Sequence, residues 1–218
     1  MDINTLLFDT TDTLYFSPEL EAYMKNAPIE FVMHKGNSRS QAELILGKAK
    51  EKVKAEGGPT TKSHLITVAG FTNEDWQNFL ADNDVTKYLS PVQENAETLR
   101  QLASKYKLGV ITNINTRHLK KTLAALGCQE EWFSSLVTSD ETPESKPSTV
   151  PFRIAIEKAG VPPSKICYVG DSTTKDIEPA RLAGMKTVWL DYKNKHNAGD
   201  EQAFDKRINK LPDLLKIF

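Results

Sequence analysis

The sequence predicts an α/β protein: a doubly wound parallel sheet, with a small helical domain inserted after the first strand. Three observations predict it. Five short apolar runs recur along the chain, at Thr5–Phe8, Leu108–Thr112, Ser135–Thr138, Ile166–Val169 and Thr187–Leu190. Helical patterns ending at glycine separate the later runs. Residues 16–90 carry helix starts but no strand pattern. Runs that are apolar on both faces suit strands covered on both sides, and crossover helices between them impose parallel pairing.

The first run, Thr5–Phe8, is followed by the insertion. Within it, Ser38 with Gln41 and Thr72 with Asp75 have the spacing of capped helix starts. Ala42, Ile45, Leu46, Ala49 and Val53 share one helical face, as do Trp76, Phe79 and Leu80. Gly57-Gly58-Pro59 is a break between the two helices. The predicted organisation is therefore a core domain of residues 1–15 and 91–218 and a helical domain of residues 16–90. In the core, Leu119, Thr122, Leu123 and Leu126 fall at helical spacing before Gly127. Pro151–Ala159 stops at Gly160 and Asp176–Ala183 at Gly184, both helix-terminating positions. In the tail, Ile208, Leu211, Leu214, Leu215 and Phe218 recur at near-helical intervals and are expected to pack on the sheet.

Lys and Arg total 28 against 29 Asp and Glu, a net charge of −1. Such a balance gives no electrostatic reason to expect nucleic acid or an acidic membrane as partner. No apolar run approaches the roughly 20 residues of a membrane span. Met1-Asp2-Ile3-Asn4 lacks the basic and apolar stretches of a secretory signal, so a cytoplasmic location is expected. Cys128 and Cys167 read as buried free thiols, and His118 and His196 as surface histidines.

Chemistry-bearing residues gather where the predicted strands end. The first run continues into Asp9-Thr10-Thr11-Asp12-Thr13-Leu14, and the second into Thr112-Asn113. Glu144-Ser145-Lys146-Pro147 puts a lysine at the start of a helical stretch, and the fourth run continues into Gly170-Asp171-Ser172, with Asp176 five residues after Asp171. Ligands bind at the carboxyl ends of strands in doubly wound sheets. Singly, each residue has an ordinary explanation: Asp9 as a turn residue, Lys146 as a solvated lysine, Thr112 as a β-branched strand end. A carboxylate, a hydroxyl, a lysine and an acidic pair in that order at one sheet edge are not explained by chance.

These four segments resemble the four motifs of the haloacid dehalogenase superfamily, in which phosphatases predominate. Asp9 with Thr13 matches the first motif, Thr112 the second, Lys146 the third, and Asp171 with Asp176 the fourth. The inserted helices correspond to that family's cap. The resemblance implies that Asp9 attacks phosphorus and carries the phosphoryl group as an aspartyl phosphate. Magnesium suits the required counter-charge, with Asp9, Asp171 and the Thr11 backbone carbonyl as ligands and Asp176 supporting the metal site or Lys146. Lys146 would neutralise Asp9 and the phosphate, while Thr112 and the Asn113 N–H would hydrogen-bond phosphate oxygens. The implied substrate is a small phosphorylated metabolite, with a nucleoside monophosphate as a first candidate.

One position departs from the pattern. Most phosphatases of the family have an aspartate two residues after the nucleophile, where Thr11 stands here. A threonine hydroxyl cannot serve as an acid–base group near neutral pH, and such help is worth about 10²–10⁴ in rate. On an extended backbone Asp12 would face away from Asp9, so it is not expected to replace the missing acid. A slow phosphatase is therefore expected. A phosphate-binding module without turnover, or a dehalogenase- or phosphonatase-type hydrolase, is the competing expectation.

Overall fold

The computed structural model describes residues 2–56, 65–66, 68–192 and 203–218. The Gly57-Gly58-Pro59 break and His196 lie outside them. The chain divides into two compact units, one of residues 1–16 with 89–218 and the other of residues 17–88.

The larger unit is built on six parallel strands: β1 (Thr5–Phe8), β2 (Lys107–Ile111), β3 (Phe133–Val137), β4 (Ile166–Gly170), β5 (Lys186–Leu190) and β6 (Lys206–Ile208), in the order β3-β2-β1-β4-β5-β6. The predicted α/β class and parallel sheet are thus observed. All four residues of β1 are buried, as its central place and unbroken apolar run require. Leu7, Ile111, Val137, Phe152, Ala155 and Tyr168 meet in one core cluster. Each large apolar side chain buried this way contributes about 1.5–3 kcal/mol. At Gly109 a Cβ would come within 2.7 Å of both the Leu7 Cδ2 and the Ser135 carbonyl, so only glycine fits between β1 and β3.

Strand β6 corrects the tail reading. Ile208 belongs to a three-residue edge strand, and the helical turn starts later, at Leu211–Lys216. Three residues are too few to show alternation, so their apolar member merged with the helical spacing that follows.

Two helices of the smaller unit begin where the sequence places caps. In α2 (Arg39–Glu56) the Ser38 N–H donates to Gln41 and the Gln41 N–H to Ser38 Oγ; in α3 (Asn73–Asp82) Thr72 and Asp75 cap each other likewise. The unforeseen element is α1 (Pro18–His34), which Ser17 caps and which contains Pro28. Its apolar residues form no clean stripe, so no helical period marks it in the sequence. Phe31 packs edge-on against Phe71, Trp76 and Phe79, giving this unit an aromatic core. No helix among the described residues is long and apolar enough to cross a membrane.

In the larger unit, α4 (Gln93–Ala103) precedes β2 and α5 (Thr116–Ala125) follows it. His118 on α5 is buried, not exposed as expected: it sits with Leu119, Thr122 and Leu123 on the inward side. Among the described residues its Nδ1 has no hydrogen-bond partner. Helix α6 (Val150–Ala159) ends at Gly160, whose φ of 66° is the left-handed geometry of a helix stop. The predicted helix over 176–183 divides into a π-type turn, Thr173–Ile177, and a short helix α7 (Glu178–Leu182). Both cysteines are free and buried.

Candidate active site

Asp9, Thr112 and Asp171 are each the first residue beyond a strand of the sheet interior. Strand pairing continues one step past β1 and β2, through Asp9 N–H to Val169 O at 3.0 Å and Thr112 N–H to Val137 O at 2.9 Å. That fixes their backbones while leaving the side chains at the sheet edge. Asp9 to Asp12, Thr112 to Ile114, Lys146, Asp171, Ser172, Lys175 and Asp176 line one cavity of about 320 Å³. Asp9, Thr11, Thr112, Asn113, Lys146, Asp171 and Asp176, expected at one site from the sequence, therefore border the same space, whereas the buried Thr13 does not line it.

Lys146 lies at its base, only 7% exposed. Its Nζ donates to Asp9 Oδ1 at 2.6 Å, Asp176 Oδ1 at 2.6 Å and the Tyr168 hydroxyl at 2.9 Å. Burial opposes the lysine charge, but the two carboxylates outweigh it and raise its pKa. Lys146 is thus a fixed cation. The Lys146–Pro147 peptide is cis.

Asp176 spends both oxygens on protein donors: Oδ1 accepts from Lys146 and Tyr168, and Oδ2 from the Ser172 N–H at 3.1 Å. Its approach depends on Gly170, where a Cβ would lie 2.5 Å from the Asp176 Cβ. The π-type turn carries Asp176 back under the end of β4. Asp171, by contrast, is half-buried, and its carboxylate accepts no hydrogen bond from a described residue. Burial, then the charges of Asp9 and Asp176, push Asp171 up to about 7. Asp9 is pushed up to about 6 by burial, against the pull of Lys146.

Oxygens of Asp9, Asp171 and Asp176 lie within 4.8 Å of one another. Of these three carboxylates Asp9 and Asp176 bond the Lys146 ammonium and Asp171 does not, which leaves a local deficit of positive charge at Asp171. Hard oxygen donors around such a deficit fit a divalent cation. Of the three, Asp171 is the carboxylate to which no described residue donates.

Besides Tyr168, three partners were not foreseen. The Asn113 side chain clamps the Lys146 backbone, accepting from its N–H at 2.9 Å and donating to its carbonyl at 3.0 Å. The indole N–H of Trp189 donates to the Asp171 carbonyl at 2.8 Å. Thr10, fully buried, shares a 2.9 Å hydrogen bond with the Thr112 hydroxyl. These contacts join residues far apart in sequence, and no local spacing announces them.

The exposed Thr11 is joined to the Tyr15 hydroxyl at 3.1 Å, and burial pushes that phenol up to about 12. Neither group releases a proton near neutral pH. The expectation that Asp12 faces away from Asp9 assumed an extended backbone, and the structure corrects it. Residues 12–14 form a turn, Asp12 has a left-handed φ of 60°, and it borders the same cavity as Asp9.

A family model described as haloacid dehalogenase-like hydrolase matches residues 1–190. The glyceraldehyde 3-phosphate phosphatase of Methanopyrus kandleri is 29% identical over 226 residues, spanning 99% of this chain and 97% of that protein. The phosphoglycolate phosphatase of Mannheimia succiniciproducens is 29% identical, with 96% of each chain covered. Among solved structures, the HAD-hydrolase YfnB of Bacillus subtilis bound to magnesium shares the fold, with a TM-score of 0.67 at 21% identity over 99% of this chain and 98% of that one. The chain belongs to the haloacid dehalogenase-like hydrolase family.

Proposed function

We propose that this chain is a magnesium-dependent phosphatase that hydrolyses a small phosphorylated metabolite through an aspartyl phosphate on Asp9. The observation that carries the reading is the 2.6 Å contact between Asp9 and the buried Lys146, in a cavity where two further carboxylates approach Asp9. Asp9 Oδ2, the oxygen not bonded to Lys146, attacks phosphorus, and the ester oxygen leaves. Lys146 keeps Asp9 ionised as the phosphate dianion approaches. The Thr112 hydroxyl, steadied by Thr10, donates to a phosphate oxygen, and the Asn113 backbone N–H adds a second donor. Asp9, Asp171 and the Thr11 carbonyl would hold the magnesium ion, and Asp176 braces Lys146. Bound there, the ion supplies positive charge to the phosphoryl oxygens. The unit of residues 17–88 serves as the cap that selects substrate.

Thr11 and Tyr15 supply no acid, so departure of the ester oxygen and hydrolysis of the aspartyl phosphate are both slow. The named activities of the two relatives make glyceraldehyde 3-phosphate and phosphoglycolate the first substrates to assay, beside a nucleoside monophosphate. The test is phosphate release with magnesium, with Asp9→Asn as control. Turnover in the native chain and none in Asp9→Asn is expected, and Thr11→Asp should raise kcat about 10²-fold. No release from any of the three substrates would defeat the reading. A Thr11→Asp protein no faster than the native one would shift proton transfer to Asp12, and a loss of turnover in Asp12→Asn would then confirm that shift.

A further inference from the structure

Tyr168 sits in the middle of β4, fully buried, three residues before the strand end that presents Asp171. A tyrosine there is costly unless its hydroxyl is met, because a buried polar atom loses its water. It is met several times over. The hydroxyl accepts from Lys146 Nζ at 2.9 Å, and its own proton faces Asp176 Oδ1 at 3.0 Å and the Ile111 carbonyl at 3.3 Å. Phe152 holds the ring edge-on, with centroids 5.0 Å apart.

An ammonium has three N–H bonds and no acceptor. At Lys146 they go to Asp9, Asp176 and Tyr168. The carboxylates supply the charge that holds the lysine. The third direction belongs to a neutral oxygen mounted on the central region of the sheet. The phenol also links to the carbonyl of Ile111, the residue before Thr112. One side chain thus ties the cation beside the nucleophile to the strand end that carries the phosphate-facing hydroxyl.

We propose that Tyr168 is a positioning residue of this enzyme: its hydroxyl fixes the Lys146 ammonium at the distance from Asp9 that the attacking carboxylate requires. The proposal rests on Lys146 acting as the charge partner of Asp9 in the reaction proposed above. Without the phenol oxygen, the third N–H turns toward another acceptor, and the ammonium swings between Asp9 and Asp176. Tyr168→Phe keeps the ring and its packing and removes only that oxygen.

The experiment compares the native chain, Tyr168→Phe, Lys146→Gln and the double variant. It measures p-nitrophenyl phosphate turnover with magnesium and the binding of orthovanadate, a five-coordinate mimic of phosphoryl transfer, by calorimetry. Tyr168→Phe should lower kcat about tenfold with KM changed less than twofold, and weaken orthovanadate about tenfold. On the Lys146→Gln background the same substitution should change orthovanadate affinity less than twofold. Equal weakening on both backgrounds would overturn the proposal, because Tyr168 would then act independently of the lysine. Unchanged kcat and orthovanadate affinity in Tyr168→Phe would overturn it too. So would a fall in kcat matched by a fall in orthovanadate-titratable sites, which marks a folding defect. A native chain that binds orthovanadate without turnover would defeat the phosphatase reading alone, and the binding cycle would still decide the role of Tyr168.

Discussion

Replacing Lys146 by methionine removes the one ammonium that Asp9 and Asp176 share while keeping much of the side-chain volume. Both carboxylates are nearly sealed from water, with side chains 12% and 2% exposed. Breaking a buried ion pair by deleting one partner costs about 3–5 kcal/mol, since the other charge stays buried and unmatched. In a chain of this size each kcal/mol moves Tm by about 2–4 °C, so a fall of about 10 °C is expected in metal-free buffer at pH 8. The loss also has a pH signature. Burial already holds Asp9 at about 6, above its unfolded value of 3.8, and without Lys146 it rises further. A carboxyl whose folded pKa exceeds its unfolded one destabilises the fold at high pH, and the penalty fades as pH falls toward the unfolded value. The gap in Tm between native and variant protein should therefore narrow between pH 8 and pH 5. Scanning calorimetry at the two pH values measures it, with Lys146→Met/Asp9→Asn/Asp176→Asn as the arm that should regain stability but not activity. A variant as stable as the native chain at pH 8, or a gap that widens at pH 5, would refute the picture of a buried cation neutralising two carboxylates.

Magnesium added to the chelated protein should raise Tm, with about 2.7 kcal/mol gained at a hundred times Kd, and Asp171→Asn should abolish most of the rise in the same thermal scan. Gly170→Ala should displace the Asp176 side chain, whose Cβ lies 2.5 Å from the added methyl, and lower kcat about 10²-fold with a modest loss of Tm; unchanged kinetics would mean that Asp176 tolerates the shift. Burial, with a lesser contribution from Lys121, pulls His118 down to about 4, below its unfolded value near 6.5, so stability is lost as pH falls from 6.5 toward 4. His118→Leu should remove about 2 kcal/mol of the destabilisation between pH 8 and pH 5, read from urea unfolding at both.

The strand ends were legible because each pairs a contiguous apolar run with an abrupt polar residue, and the sheet brings such junctions to one edge. Asp9, Thr112 and Asp171 could be placed together on that ground, while Lys146, in a turn before a helix, joined them through the motif order. The helix starts at residues 38 and 72 were legible for a similar reason: a cap is a contact between residues three apart. What escaped was not local. Asn113 clamps Lys146 across 33 residues, Tyr168 reaches it across 22, and Trp189 meets Asp171 across 18. From the sequence Tyr168 and Trp189 are simply apolar strand residues, and only the sheet order turns their polar tips toward the site. Asp12 escaped differently. The period-2 rule assumes that a strand goes on past its last hydrogen bond, whereas β1 gives way to a turn with Asp12 at positive φ.

The bonding of Lys146 divides the labour of the proposed reaction. With its three N–H bonds committed to Asp9, Asp176 and Tyr168, the ammonium cannot also donate to an incoming phosphate without releasing one of them. Its contribution is charge held in place, which lowers the repulsion between Asp9 and the dianion at no cost in rearrangement. The phosphate oxygens must then find their donors elsewhere, and the cavity offers the Thr112 hydroxyl, backbone N–H groups beyond β2, and Asp171, a carboxylate to which no described residue donates and which would hold a cation. Asp176, saturated by protein contacts, is poorly suited to bind that cation directly, while Asp171, to which no described residue donates, is well suited. The same geometry explains why a threonine at position 11 leaves the site assembled. The charge balance around Asp9 does not pass through that side chain, so in the proposed reaction its replacement would change how fast protons move and leave intact the groups that would hold the phosphate.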